Sequence, residues 1–399
     1  MGFTFMKRVD YLIGIPVCFI LTLWHKILSL FFPDSRDLKD PSKILFIKPS
    51  ELGAIILSYP LLKKLNTKYP QAELHYLTFK SNRELFEVFV PSIPVHVWTI
   101  DESSPAAFVK GVFVLLWKIR KEKFDVVIDL EFFSRFTAIL SYLSGAFKRV
   151  GFHRYTIEGV YRGDLLTHKI QYNPHLHVSE MYLLMGTAVE KNEKLSPEIL
   201  KEDNRFDLVS FQHTKEQEKS LYKKLNGLGV DATAEIYLIC PGEGRIPLRE
   251  WPLEYFTRLV TKILSHDNTY VLIVGQQDKA ERAKQITQTQ NHPQRCINLM
   301  GQTTLQELLA LMSVSKALVV NDSGMAHLAA LTKVRQFVLF GPETPKIFAP
   351  LGERITIFYS GIPCSPCLSV FNHRNSACRD NLCLKDISPE QVYDSVFMK

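Results

Sequence analysis

Charged and polar side chains stand directly after an apolar, strand-like segment in the second half of the chain. The segment ALVVNDSGMAH (317–327) ends its apolar run at Asn321 and Asp322, and Ser323 and Gly324 then open a helix-like stretch. A helix N-terminus offers free N–H groups and a positive partial charge, and glycine lets a ligand approach the backbone closely. The pattern therefore indicates either an anion site or a plain helix cap at Asp322 or Ser323.

Three further loops follow strand-like segments in the same half. The loop after IYLICPG holds Arg245 and Arg249, whose guanidinium groups either reach a phosphate or are solvated. In YVLIVGQQ, Gln277 stands where it can hydrogen-bond a ribose or base, although no G-x-G-x-x-G dinucleotide fingerprint is present. In FGPETP, Thr344 lies at the tip of a turn. Ligands of parallel sheets bind outside the carboxyl ends of the strands, so four such loops together predict a ligand site.

The first half of the chain contains one comparable loop. The segment ILFIK (44–48) ends on Lys48 and continues as PSELGA before an apolar helical stretch. Glu51 is the only carboxylate of this loop, and Ala54 cannot accept a proton. A general base has to come within about 3 Å of the hydroxyl that it serves. Glu51 is therefore the candidate base, while Lys48 either neutralises a phosphate or is an ordinary lysine at a strand end.

The segments that position these side chains alternate between strand-like and helix-like patterns. The strand-like segments are ILFIK, ELHYLT, VHVWTI and DVVIDL in the first half, and IYLICPG, YVLIVG, ALVVND and FVLFG in the second. This alternation predicts an α/β fold with parallel, doubly wound sheets. A chain of 399 residues exceeds one ordinary core. We predict an N-terminal segment (1–40), a Rossmann-like domain (41–205) and a second one (206–399), with a cleft between the two domains.

The composition is that of a globular protein with a modest positive charge. Hydrophobic residues make up 46% of the chain, charged residues 22%, and the formal net charge is +7. Lysines and arginines form no long run, which argues against nucleic-acid binding and favours an acidic ligand or an anionic membrane surface. Three of the seven cysteines are scattered in apolar contexts, unlike a secreted disulfide framework, so we expect a cytoplasmic protein.

The segment 7–32 is apolar enough to meet a membrane. Lys7 and Arg8 precede YLIGIPVCFILTLW, fourteen residues without a charge, and Lys26 interrupts the run before ILSLFF. A spanning helix needs about twenty apolar residues, and no small-residue cleavage site of a signal peptide follows. The segment is then a helix in the membrane interface, a tilted span, or a helix packed on the protein itself. We favour the interfacial helix, because its flanking basic residues can meet lipid phosphates.

Four cysteines near the end of the chain have the spacing C-x2-C-x10-C-x4-C. They are Cys364, Cys367, Cys378 and Cys383. Four thiolates at such a spacing can form a tetrahedral zinc site that staples a loop. The alternative is a set of reduced thiols or facultative disulfides.

The stretch NLMGQTTLQELLALMSVSKALVVNDSGMAHLAALTKVRQFVLFGPETP resembles glycosyltransferase family 9, the ADP-heptose:lipopolysaccharide heptosyltransferases. The segments REWPLEYF and ILFIKPSELGAIILSYPLL are similar to the same family, so the resemblance covers roughly residues 43–395. It implies a GT-B fold, a nucleotide-sugar donor held by the C-terminal domain and an acceptor held by the N-terminal domain. It also implies inversion at the sugar carbon without a catalytic metal or other cofactor.

Matched position by position, the resemblance implies a donor site. Asp322, Ser323 and Gly324 match the Asp-Thr/Ser-Gly loop of the family, which holds the donor phosphates, and His327 matches the histidine one turn later. Arg249 stands where the family has a basic residue that reaches the diphosphate, just before the Trp-Pro pair. Gln277 falls near a position where some members have a glutamate on the ribose.

The first loop departs from the family pattern. The family usually reads S-L-G-D there and uses the aspartate as the base, whereas this chain has Ala54. We expect Glu51 to replace that aspartate. Asp101 and Asp129 are the alternative carboxylates, and a chain that binds donor without transferring sugar is a further alternative.

These patterns together predict an inverting, metal-independent glycosyltransferase. We expect it to move heptose from ADP-heptose onto a lipopolysaccharide core or a related lipid-linked saccharide. It would be peripheral on the cytoplasmic face of the inner membrane, held there through residues 7–32. The rival functions are a GT-B nucleotide-sugar epimerase, which needs no membrane segment, and a donor-binding pseudo-glycosyltransferase.

Overall fold

The structure is a computed structural model that describes residues 3–31, 40–89, 92–153, 161–190, 208–242 and 246–398. The chain divides into two compact units, Met1–Arg205 and Phe206–Lys399. Each unit is built around one parallel sheet of six strands.

The sheet of the first unit has the order β3-β2-β1-β4-β5-β6, with every neighbouring pair parallel. The central strands are buried on both faces and are therefore continuous apolar runs rather than alternating ones. The strands are β1 (Lys43–Ile47), β2 (Glu73–Phe79), β3 (His96–Ile100), β4 (Val126–Asp129), β5 (Lys148–His153) and β6 (His168–Gln171).

The helices of the first unit include two at the N-terminus and the crossover helices of the sheet. They are α1 (Phe3–Leu12), α2 (Gly14–Phe31), α3 (Leu52–Leu57), α4 (Tyr59–Lys68), α5 (Phe86–Phe89), α6 (Pro105–Glu122), α7 (Arg135–Leu143) and α8 (Val178–Glu190). The longest crossover helix, α6, begins where the Ser104 side chain accepts a hydrogen bond from the Ala107 N–H and Pro105 fills the first turn. A 3-10 helix (Lys80–Leu85) leads from β2 into α5.

The sheet of the second unit has the order β12-β11-β10-β7-β8-β9, and it is also parallel throughout. Its strands are β7 (Glu235–Cys240), β8 (Thr269–Ile273), β9 (Cys296–Asn298), β10 (Ala317–Asn321), β11 (Arg335–Phe340) and β12 (Ile355–Tyr359). Its helices are α9 (Lys215–Gly227), α10 (Leu253–Leu264), α11 (Ala280–Gln288), α12 (Leu305–Val314), α13 (Gly324–Ala329), α14 (Pro345–Phe348), α15 (Leu382–Lys385) and α16 (Pro389–Phe397). Three 3-10 turns are also present, at Pro247–Arg249, Gln277–Lys279 and Pro293–Arg295.

The predicted fold class is confirmed, and the eight predicted strands are β1 to β4, β7, β8, β10 and β11. The sequence did not reveal β5, β6, β9 and β12. β5 begins with two basic residues, β6 is a short edge strand, β9 has three residues, and β12 is half exposed. In β5, β6 and β9 the continuous apolar run that marks a doubly covered strand is missing, whereas β12 (ITIFY) has a strand-like run that the prediction missed.

The N-terminal helices α1 and α2 pack on α7 by one face. Asp10 lies 3.0 Å from the Arg135 guanidinium and accepts a hydrogen bond from the Phe136 N–H. Cys18 is buried, and Gly14 lies so close to Arg135 that an added Cβ atom would clash. The opposite face is apolar and exposed at Phe19, Ile20, Leu23, Trp24, Ile27, Leu30 and Phe31. Among the described helices, α2 is long and apolar enough to cross a membrane, judged by length and composition.

Candidate active site

The carboxyl ends of β10 and β11 bring together a cluster of four charged side chains in the second unit. Asp322 follows β10 directly, and its Oδ2 lies 3.5 Å from Nε of Arg249 in the 3-10 turn Pro247–Arg249. Arg249 also contacts Glu343, which follows β11. Nε of Arg374, in the cysteine-containing loop, lies 2.8 Å from Glu343 Oε1. We call Arg249, Asp322, Glu343 and Arg374 the strand-end cluster.

Buried polar anchors hold the Arg249 turn against β10. The Trp251 N–H donates to Asn321 Oδ1 at 2.9 Å, and the Trp251 indole donates to the Ile387 carbonyl at 2.9 Å. The Asn321 amide donates in turn to the Pro241 carbonyl at 3.3 Å. Trp251 is fully buried, so its loss would release the turn. Trp251, the first residue of the Trp-Pro pair, therefore holds the turn that carries Arg249 in place.

Burial disfavours the charged forms in this cluster. It raises the pKa of Asp322, and the Arg249 guanidinium opposes that rise. It raises the pKa of Glu343 to about 7, with Arg249 opposing and the nearby Asp322 charge adding to the effect. Burial also lowers the pKa of Arg374 to about 10. Two carboxylates facing two guanidinium groups make a cluster whose net charge changes near neutral pH.

Arg249 has donor capacity that its carboxylate partners do not use. Among the described residues, Nε of Arg249 and Oδ2 of Asp322 are buried without a hydrogen-bond partner, although they lie within ion-pair distance of each other. Buried polar atoms of this kind normally find a partner in the protein, in water or in a ligand. An anion with several acceptor oxygens, such as a phosphate, can accept hydrogen bonds from the unused N–H groups of Arg249.

The other predicted donor residues occupy the same end of the sheet or its neighbourhood. Ser323 precedes α13 but makes no side-chain cap hydrogen bond to it, so capping is not its role in this structure. Gly324 opens α13, and His327 is buried within it. Gln277 begins the 3-10 turn after β8 and packs directly over Gly301, where an added Cβ atom would clash with it. Arg245 lies outside the described residues.

A second charged group surrounds the loop after β1 in the first unit. Lys48 Nζ is fully buried and lies 3.1 Å from Glu51 Oε2 and 2.9 Å from Glu131 Oε2. Glu131 also accepts hydrogen bonds from the Ser50 N–H at 3.1 Å and the Ser50 hydroxyl at 2.9 Å. Lys48 is therefore neither a solvated lysine nor an isolated cation. Its ammonium group forms ion pairs with both the Glu51 and the Glu131 carboxylates.

Glu51 is the more accessible carboxylate of this loop, and its backbone is strained. Its side chain is 28% exposed, against 12% for Glu131. Its φ of +66° lies in the left-handed region, which costs a residue with a side chain about 1–3 kcal/mol and is concentrated at functional sites. The loop therefore holds Glu51 at the N-terminus of α3, with its carboxylate on Lys48.

The alternative bases sit in different surroundings. Asp129 is fully buried, pairs with the buried guanidinium of Arg162 and accepts a hydrogen bond from the Glu131 N–H at 3.1 Å. Burial raises the pKa of Asp129 while Arg162 opposes the rise. Asp101 accepts from the Ser103 N–H at 2.9 Å, and Ser103 holds the pKa of that carboxyl below its usual value. Asp129 is thus a structural partner of Arg162, and Asp101 is a loop-stabilising residue after β3.

The four cysteine thiols lie in one region without forming a closed ligand set. Cys383 is buried, and burial raises the pKa of its thiol to about 11, with smaller contributions from Cys367, Cys364 and Cys378.

A separate group of metal-ligating side chains lies in the first unit. Among the described residues, the ligand atoms of Glu73, His75 and His96 lie within 4.8 Å of one another. The Lys43 ammonium already lies 3.4 Å from Glu73 there.

Sequence reasoning missed three residues of these two groups. Glu131 follows β4 two positions after Asp129, and Glu343 stands next to Thr344 in a loop that had been singled out. Arg374 lies in the cysteine-containing loop and had no signal of its own. The strand-end rule could have found the two glutamates.

Two units, each built around a parallel six-stranded sheet, are the architecture of the GT-B fold, and structural comparison agrees. The chain matches ADP-heptose lipopolysaccharide heptosyltransferase II of E. coli with a TM-score of 0.68 and 21% identity, over 89% of this chain and 97% of that one. It matches a family 9 glycosyltransferase of Veillonella parvula with a TM-score of 0.69 and 19% identity, over 89% of this chain and 95% of that one.

The chain belongs to glycosyltransferase family 9 (heptosyltransferase), whose model matches residues 112–376. It is also similar to lipooligosaccharide heptosyltransferase 2 of Haemophilus ducreyi, with 28% identity over 323 residues, 79% of this chain and 88% of that protein. The range matched by the family model, residues 112–376, includes the strand-end cluster and Glu131. It does not include Lys48 or Glu51.

Proposed function

We propose that this glycosyltransferase moves heptose from ADP-heptose onto a lipopolysaccharide core or a related lipid-linked saccharide. The family and its lipopolysaccharide and lipooligosaccharide relatives support the sugar and the acceptor class. In this proposal the second unit binds the donor and the first unit binds the acceptor. The reaction inverts the sugar carbon, and no metal takes part in it.

The observation that carries the proposal is the strand-end cluster. Arg249 is held at the carboxyl end of β10, beside Asp322, with hydrogen-bonding capacity left over. This is where ligands of parallel sheets bind. The donor diphosphate would take up that capacity, and Ser323, Gly324 and His327 would line the same strand end. Gln277 would lie toward the nucleoside.

Glu51 is the proposed base of the transfer. The acceptor hydroxyl gives its proton to the Glu51 carboxylate as its oxygen attacks the sugar carbon and the bond to the diphosphate breaks. Lys48 would orient the Glu51 carboxylate, since its ammonium group lies 3.1 Å from Glu51 Oε2. Glu131 holds Lys48 and Ser50 in place, so it acts as a positioning residue.

The transfer assay separates this proposal from its rivals. Purified enzyme is incubated with ADP-heptose, with and without a lipid acceptor that lacks the terminal heptose, and both ADP and the acceptor mass are measured. A transferase releases ADP only with acceptor and adds one heptose to it. An epimerase changes the nucleotide sugar without acceptor, and a donor-binding pseudo-enzyme does neither.

We also propose that the protein is peripheral on the cytoplasmic face of the inner membrane. The exposed apolar face of α2 supports this, because the opposite face is already occupied by α7. A helix with one packed and one exposed apolar face is suited to the membrane interface. Serine substitutions at Phe19, Leu23 and Ile27 leave the contacts with α7 intact, unlike a deletion of the segment. They should move the enzyme from the membrane fraction to the soluble one, and retention in the membrane fraction would contradict the proposal.

The four cysteines are proposed to hold a structural zinc ion. Their spacing and their thiolate donor chemistry fit zinc. A bound ion would fix the loop that carries Arg374 onto Glu343. Metal analysis of the purified protein should find about one equivalent, which Cys364→Ser and Cys378→Ser should each remove. Equal metal content in the variants and the wild type would reject the site.

A further inference from the structure

Helix α6 has apolar side chains on two opposite faces. Leu115 and Ile119 are buried in the core of the first unit. On the other face, Val109, Phe113 and Trp117 recur every four residues and are 52%, 70% and 65% exposed. A spacing of four aligns side chains in one stripe along a helix. Single exposed apolar residues are ordinary on a protein surface, but a contiguous apolar stripe with two aromatic side chains is typical of an interaction site.

The exposed face of α6 is basic. Lys110, Lys118 and Lys121 are exposed beside the stripe, and Lys121 Nζ lies 5.4 Å from the centre of the Trp117 ring. The one acidic residue of the helix, Glu122, is paired with Lys43 at 2.7 Å. The stripe is therefore bordered by positive charge with no carboxylate to balance it on this helix. We call Val109, Phe113, Trp117 and these three lysines the α6 face.

A groove runs along the α6 face, beside the edge strand of the sheet. It has a volume of about 820 Å³ and lies between α6 and β3, with Trp98 and Trp117 among its walls. Arg83 and the three lysines line it, as do Asp101 and Glu122, whose carboxylates are paired with Lys80 at 3.6 Å and with Lys43 at 2.7 Å. Aromatic walls and basic residues together match a lipid, which presents apolar chains next to an anionic headgroup.

We propose that the α6 face is a membrane-docking surface that inserts into the interface of an anionic phospholipid bilayer. This deepens the proposed function, on whose lipid-linked acceptor it rests. Tryptophan and phenylalanine sit at the headgroup level, while lysines reach the lipid phosphates over their apolar stems. Met6 of α1 packs against the same core cluster as Phe108 and Val112 of α6, so both helices belong to the first unit's core.

Charge argues against a second copy of the chain as the occupant. In a symmetric dimer the same patch meets itself, so the lysines of one copy would face those of the other. An anionic bilayer instead attracts them.

Vesicle binding of the full-length protein tests the proposal. The double variant Phe113→Ser/Trp117→Ser should bind phosphatidylglycerol-containing vesicles at least about tenfold more weakly, because each aromatic side chain loses apolar burial. The matched control is Tyr222→Ser/Met398→Ser, which removes two exposed apolar side chains of the second unit and should bind as the wild type does. Unchanged circular dichroism and unchanged ADP affinity in both variants establish that they are folded.

A charge variant tests whether the lysines of the α6 face contribute to vesicle binding. Lys110→Gln/Lys118→Gln should lose binding to anionic vesicles and little of its binding to neutral phosphatidylcholine, whereas Lys284→Gln/Lys316→Gln should lose neither. Wild-type-like vesicle binding by both α6 variants would overturn the proposal. So would a dimer, seen by light scattering, that the aromatic variant dissociates while its vesicle binding is unchanged. Heptose transfer to a delipidated, water-soluble acceptor tests the proposed function separately, because that reaction needs no membrane.

Discussion

If the strand-end cluster binds the donor as proposed, donor binding should depend on pH through Glu343. Burial raises the pKa of Glu343 to about 7 from its usual 4.5. Below that pKa the side chain is neutral, and Arg249 can turn its full charge to a donor phosphate. Above it, Glu343 is ionised on the same guanidinium and repels the phosphate. Donor affinity should therefore be highest below the pKa and fall as the pH rises through about 7.

The size of the effect follows from Coulomb's law. A phosphate bound to the far side of the Arg249 guanidinium would lie about 8 Å from the Glu343 carboxylate. Two unit charges at about 8 Å interact by about 2 kcal/mol at an effective dielectric constant of about 20. That corresponds to about a thirtyfold fall in affinity, since about 1.4 kcal/mol is tenfold. The glutamine variant has no charge to gain, so Glu343→Gln should bind donor almost equally across this range.

Calorimetry with an ADP-sugar measures the donor affinity as a function of pH. The titration covers about 1.5 pH units on each side of the Glu343 pKa of about 7. The diphosphate of an ADP-sugar stays fully ionised there, so the titration belongs to the protein. Buffers of different ionisation enthalpy should also reveal proton uptake on binding above the pKa. Glu353→Gln, at an exposed glutamate of the same unit, is the control and should keep the wild-type profile. A wild-type affinity that is flat across the range, or an equal slope in Glu343→Gln, would refute the reasoning.

Three further results are expected. Glu51→Gln should lower turnover by about 10²–10⁴-fold, the range for loss of a general base, with ADP affinity unchanged by calorimetry; near-wild-type turnover would move the role of base elsewhere. Arg162→Met should lower the free energy of unfolding by about 3–5 kcal/mol in denaturant titrations, because it leaves Asp129 buried without its cation; an unchanged midpoint would contradict that pairing. Chelator should lower the melting temperature of the wild type but not that of Cys383→Ser, and equal shifts would count against a structural metal.

The sequence was sufficient for eight of the twelve strands, because parallel strands covered on both faces are continuous apolar runs. β1 and β10 are continuous apolar runs, and the polar residues after them had to lie at the carboxyl edge of a sheet. Lys48, Glu51 and Asp322 were found in this way. β6 has no such run, because three of its four residues are partly or fully exposed at the edge of the sheet.

The partners of these residues depend on tertiary contacts that no local pattern reveals. Asp129 and Glu131 both follow β4, and only the fold shows that Arg162 neutralises the first while Lys48 and Ser50 hold the second. Glu131 is 83 positions from Lys48 along the chain. Likewise, the role of Arg374 depends on how the cysteine-containing loop returns to Glu343, which the cysteine spacing alone does not specify.

The departure at Ala54 is what makes the first loop informative. Glu51 is the proposed replacement for the missing aspartate, and it lies on the buried Lys48 in a left-handed backbone conformation. Restoring the family pattern with Ala54→Asp in the Glu51→Gln background tests whether the two positions serve the same acceptor hydroxyl. Recovery of turnover would show that they do.

Mass spectrometry of the lipid acceptor after incubation with ADP-heptose tests the central claim most directly. The account predicts an acceptor heavier by one heptose, with ADP released in equal amount, for the wild-type enzyme and only at a greatly reduced rate for Glu51→Gln. An unmodified acceptor in the presence of an enzyme that still binds ADP would contradict it.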